Sequence, residues 1–96
     1  METFPDAALP TEKQRAALIH LIYMAFVDIR ALCLDGKLDQ AKDLAEVFHN
    51  VPLLMSRPEF SMACQRAAFV GYQEKHGVRA HLDYVAEIDK IDQMKG

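Results

Sequence analysis

The side chains capable of chemistry are few and scattered. Four histidines (His20, His49, His76, His81) and two cysteines (Cys33, Cys64) are the soft metal ligands. None stands at the two-to-four spacing of a zinc knuckle or at i, i+4 on one helix. No metal site is expected, and no cofactor. Nucleophilic catalysis needs a serine or cysteine beside a base and an oxyanion donor. Ser56 reads instead as a helix cap, Ser61 lies in a helical pattern, and both cysteines fall on apolar helical faces as small buried hydrophobes. There is no glycine-rich phosphate loop. Nothing specific points to an enzyme.

One polar constellation stands out. Asp28 and Arg30 lie near the end of an apolar helix, His49 near the end of the next, and Tyr72 on a later one. It has two readings. Either these groups fix helix register through an Asp–Arg or Asp–His contact, or they converge on a small polar pocket that binds a ligand or supports catalysis. Their convergence or dispersal in space decides.

The elements that must position them are helical. The 96 residues carry 51% apolar side chains, no tryptophan and thirteen alanines, with few β-branched residues. That suits one domain with a modest core. No segment alternates with period two. The expected fold is all-α: a compact four-helix bundle with a long central first helix, residues 11–96, preceded by an irregular arm over residues 1–10.

Thr11 and Gln14 have the capping-box spacing and Gly36 supplies a left-handed stop, bounding a first helix of about 23 residues. On a helical wheel Leu18, Leu21, Ile22, Ala25, Phe26, Ile29, Leu32 and Cys33 cover roughly 140°, and Ile19 and Tyr23 widen the arc toward 200°. Lys13, His20, Asp28 and Asp35 form the narrow polar stripe. Such a helix is expected to be covered on two sides.

A second helix is predicted at 38–49. A third begins at a second capping box, Ser56 and Glu59 around Pro58, and closes at Gly77. A fourth spans 80–94, with Tyr84, Val85, Ile88 and Ile91 on one side. On the third helix Ala63, Ala67 and Gly71 make a row of small residues suited to close approach by the first helix. Met62 and Phe69 lie on the opposite face, to be covered by the fourth helix or by a second subunit. The latter reading makes Met62, Arg66, Phe69 and Gln73 a homodimer interface.

The formal charge of −3 comes with no basic stripe, so nucleic acid and anionic membrane surfaces are not expected partners. KDLAEVFHNVPLLMSR (42–57) imitates a helix-turn-helix, but Pro52 and Pro58 flank its second helix and basic side chains are lacking. The longest uncharged run, Ala16 to Val27, is shorter than the roughly twenty residues of a membrane span. METFPDAALP is acidic and does not read as a signal peptide. Two cysteines in this context indicate a reduced, cytoplasmic protein.

AFVDIR (25–30), DGKLDQAKDLAEVFHNVP (35–52) and GYQEKHG (71–77) carry an IR…G…A..LA..FHN.P pattern over the middle two-thirds of the chain. In this the sequence resembles a group of small bacterial helical proteins without an assigned activity. The resemblance implies a compact bacterial cytosolic protein and no catalytic residues. The function that follows from all of this is a small protein-interaction or regulatory module that self-associates as a homodimer and meets a further, unspecified protein partner.

Overall fold

Thr11 opens the first helix as its sequence demands. Its hydroxyl accepts from the Gln14 amide at 3.1 Å, and its own amide donates to Gln14 Oε1 at 2.9 Å. The helix, α1 (Glu12–Leu34), stops where Gly36 turns left-handed at φ 77°. There the Lys37 amide reaches back to Leu32 carbonyl oxygen and the Gly36 amide to that of Cys33, the paired bonds of a Schellman motif. In the computed structural model, which describes residues 8–58, 60–77 and 82–94, four further helices follow: α2 (Leu38–Phe48), α3 (Val51–Leu54), α4 (Met62–His76) and α5 (Tyr84–Asp92). Among the described residues no strand forms.

The fold is all-α with a long first helix. α1 packs on α2 and α5, and α4 packs on α5 and α2. Within 38 × 27 × 21 Å, one core joins all five helices. Its centre is aromatic. Phe48 lies 5.1 Å from Phe69 and 5.6 Å from Tyr84, Phe69 stacks on Tyr84 at 5.6 Å, and Tyr72 meets Tyr84 edge-on at 6.4 Å. Such offset and edge-on ring pairs add stability beyond the area they bury.

The buried line on α1 is not the expected one. Gln14, Leu18, Leu21, Ala25, Asp28 and Leu32 are buried, at alternating spacings of four and three. That is a heptad seam. Phe26 and Cys33 from the expected arc are exposed, as are Ile19 and Tyr23, while Asp28 leaves the polar stripe for the core. The helix is covered along one seam, not on two sides. Two polar side chains in that seam are therefore obliged to find partners, and both find them on α5. Gln14 Nε2 donates to the Ile91 carbonyl oxygen at 3.2 Å, and the Tyr84 hydroxyl donates to the Asp28 carboxylate.

α4 is turned around relative to expectation. Met62, Gln65, Phe69 and Tyr72 are buried, and the small stripe Ala63–Ala67–Gly71 faces solvent. The cover of Met62 and Phe69 is α5 of the same chain. Arg66 Nε donates to Asp89 at 2.8 Å, and Gln73 caps α5 by accepting from the Tyr84 amide at 2.7 Å while donating to Asp83 at 3.1 Å. All four residues expected at a dimer interface are thus occupied in holding α5 to α4. The Asp83 side chain also caps α5 by accepting from the Ala86 amide, the contact that chiefly holds its carboxyl below the ordinary carboxylate range.

Ser56 caps nothing at the start of α4. Its hydroxyl donates to the Leu53 carbonyl oxygen at the end of α3, and Ser61 is the N-cap, accepting from the Cys64 amide. Glu59 lies outside the described residues, as do residues 1–7 of the expected arm, and so do positions 80 and 81 of the expected fourth helix. Cys33 and Cys64 are free and exposed rather than buried.

Two outcomes follow. Gly71 sits mid-helix with nothing within 4 Å of where an alanine methyl would stand, so Gly71→Ala is expected to raise stability by about 0.5–1 kcal/mol in urea denaturation. A loss would mean the small stripe is packed after all. Cys33 and Cys64 are both expected to react with a thiol reagent in the folded protein. Protection of either until unfolding would contradict its exposure.

Candidate functional site

Asp28 and Tyr72, two of the four residues expected in a polar pocket, do lie together. With Leu32, Gln40, Leu44 and Tyr84 they line a cavity of only ≈ 10 Å³, at most enough for a single water. Asp28 is 4% exposed and held by Tyr84, while Tyr72 accepts from Gln40 Nε2 at 3.1 Å. Burial, and after it the Asp28 bond, pushes the Tyr84 hydroxyl well above the ordinary tyrosine range; burial also raises Tyr72. The Tyr84 hydroxyl holds its proton and acts as a structural donor, while the Tyr72 hydroxyl serves as an acceptor. Arg30 and His49 are elsewhere. Arg30 is exposed on α1, and His49, at the end of α2, is exposed beside Glu46 with Nδ1 2.7 Å from that residue's carbonyl oxygen. The four do not converge, and a polar cavity of that size leaves no room for a substrate.

A second polar cluster went unnoticed in the sequence because its members are 33 residues apart. Asp43 of α2 has His76 Nε2 at 2.7 Å and Lys75 Nζ at 2.9 Å. The hydrogen bonds from His76 and then Lys75 hold the Asp43 carboxyl below its ordinary value, and the Lys75 ammonium is raised in return, chiefly by the Asp43 bond. The Tyr72 ring packs against His76 at 5.2 Å. An Asp–His contact is half of a catalytic dyad; among the described residues the serines Ser56 and Ser61 are spent on helix ends. The cluster clamps α2 to the C-terminus of α4, where cations also suit the helix dipole. Among the described residues no group of three or more His, Cys, Asp or Glu side chains could hold a metal ion.

What remains open is apolar. Ile19, Tyr23 and Phe26 are 52, 62 and 67% exposed on α1. Beside Phe26 runs a groove of ≈ 250 Å³ lined by Ile22, Ala25 and Ile29 of α1, Ala45 and Phe48 of α2, then His49 and Pro52. Its floor is the edge of the core, since Ala25 and Phe48 are buried, and its rim is Phe26. Leu53 of α3 adds a further exposed apolar side chain. Exposed apolar patches beyond a few hundred Å² are uncommon on monomers and mark places where something binds.

By length and composition α1 could also cross a membrane, and only 28% of its most apolar stretch is buried. The core helix of a soluble protein passes the same test. Here α1 carries the buried Asp28–Tyr84 and Gln14–Ile91 bonds of the core, which a spanning orientation would break, taking a carboxyl into hydrocarbon.

Comparison with protein-family models, curated proteins and solved structures finds no match to this chain.

Removing the Tyr84 hydroxyl tests the buried pair. Tyr84→Phe is expected to cost about 1–3 kcal/mol in urea denaturation, because a buried carboxyl loses a hydrogen-bond donor. The pH dependence has a definite sign. A folded phenol raised above the ordinary value of 10.0 binds protons that the unfolded chain has lost, so stability is full below that pH and falls as pH rises past it. The variant is expected to flatten this decline; an identical alkaline profile in variant and parent would contradict the assignment.

Proposed function

We propose that the protein is a small protein-interaction module that docks through the exposed apolar face of α1 and the adjoining groove. A single observation carries this reading. Ile19, Tyr23 and Phe26 stand in water on a helix whose opposite seam already serves the core. Tyrosine and phenylalanine are the residues that concentrate binding energy at interface centres, and a groove flanked by a helix accepts apolar anchors at helical spacing. The polar cavity is small and the Asp43 cluster is a clamp, whereas this face sets three large apolar side chains at helical spacing in water. Two free thiols support action in the reducing cytoplasm.

The test is site-specific photocrosslinking in cells. A photoreactive phenylalanine analogue placed at Tyr23 or Phe26 is expected to give discrete protein adducts, whereas one at Glu74, exposed on α4, gives none. Absence of protein adducts from both α1 positions would remove the proposal.

A further inference from the structure

The exposed face of α1 has an order of its own. Glu12, Ala16, Ile19, Tyr23, Phe26, Arg30 and Cys33 are all exposed, and their spacings alternate four and three along the whole helix. This is a second heptad seam, running parallel to the buried one. What sets it apart from an ordinary solvated face is that its middle members, Ile19, Tyr23 and Phe26, are large and apolar. A stripe of this kind fits another helix with the same repeat.

We propose that this partner is the α1 of a second copy, paired antiparallel about a two-fold axis beside residue 21; the proposal rests on the docking face inferred above. In that register Ile19 lies against Tyr23 of the second copy, small Ala16 against bulky Phe26, and Glu12 against Arg30, each pair occurring twice by symmetry. The large side chains meet neighbours that leave them room. Opposite charges close both ends. A parallel pair would instead set Glu12 against Glu12 and Arg30 against Arg30. Sliding the antiparallel pair by one heptad toward the C-terminus sets Arg30 against Ile19 and leaves Glu12 without an opposite number. Charge and size complementarity thus favour this arrangement over those two.

The area is adequate. Ile19, Tyr23 and Phe26 leave roughly 400 Å² of side chain in water. Two copies of the stripe with its flanks bury on the order of 1,200 Å² in total, the lower edge of a specific interface. At that edge interfaces belong to weak, transient pairs, and a dissociation constant on the order of 10 μM is expected. Lipid is the less suited occupant, because the stripe ends in an ion pair's two halves and the chain's net charge is −3.

Sedimentation equilibrium of the purified chain from about 5 to 200 μM decides the matter, with the concentration range set by the expected affinity. Three proteins are compared: the parent, Glu12→Arg and Arg30→Glu. The parent is expected to dimerise. Each variant alone carries two repulsive pairs and is expected to dimerise about tenfold more weakly. An equimolar mixture of the two restores attraction at both ends and is expected to regain parental association. Both substitutions are on exposed positions, and circular dichroism checks that each chain remains helical. A parent that stays monomeric at the top of the range overturns the proposal, as does a mixture no stronger than its components. Monomeric protein that instead binds phosphatidylcholine vesicles assigns the face to lipid and also overturns it. Photocrosslinks to a different protein from a monomeric chain would overturn self-pairing while leaving the interaction module standing.

Discussion

The architecture turns on two polar side chains in the wrong place for an apolar seam. Gln14 and Asp28 occupy core positions on α1, where an unpartnered polar group costs more than a hydrogen bond returns. Their partners lie at opposite ends of α5, the Ile91 carbonyl oxygen for one and the Tyr84 hydroxyl for the other. α5 is thereby fixed antiparallel to α1 at both ends. Fixing α5 determines what it covers: Met62 and Phe69 of α4 are sealed within the chain, with Arg66 and Gln73 holding the edge. The Tyr84 ring, held by its hydroxyl, then completes the aromatic centre with Phe48, Phe69 and Tyr72.

The same constraint turns the rest of α1 outward. A helix has one azimuth. Once the line through Asp28 faces α5, the line through Tyr23 and Phe26 faces away from the core. The apolar residues left in water are therefore a consequence of where the polar ones were buried. Three large apolar side chains side by side in water add nothing to the core. That they are apolar, and that they repeat with a coiled-coil period, is the reason to assign them an interaction.

Much of the fold was legible in the sequence because it is locally encoded. The Thr11 capping box, the left-handed Gly36 and Gly77 and the Tyr84–Ile88–Ile91 face each depend on neighbours within a turn, and each fixed a boundary or a buried face where it was expected. The azimuth of α1 was not legible, because a wheel weighted by hydrophobicity is drawn toward Ile19, Tyr23 and Phe26 and away from Gln14 and Asp28. Spacing alone does not find the seam, because the exposed line from 12 to 33 has the same alternation; accepting an aspartate in the buried line requires knowing about Tyr84, 56 residues later. The stripe Ala63–Ala67–Gly71 misled for a related reason. Small residues permit close packing, but alanine costs nothing on a solvated helix face, so their spacing did not compel a partner. Of the four polar residues, Asp28 and Tyr72 share one small cavity, while Arg30 and His49 sit on surfaces that no local rule joins to it.

The central claim is the assignment of the two faces of α1, and paramagnetic broadening of aromatic NMR signals by a soluble nitroxide tests it most directly. It is best run on protein dilute enough to be monomeric. The rings of Tyr23 and Phe26 are predicted to broaden strongly, while those of Tyr84 and Phe69 stay sharp. Sharp signals from Tyr23 and Phe26 beside a broadened Tyr84 would mean that α1 faces the other way and that the account built on Asp28 is wrong.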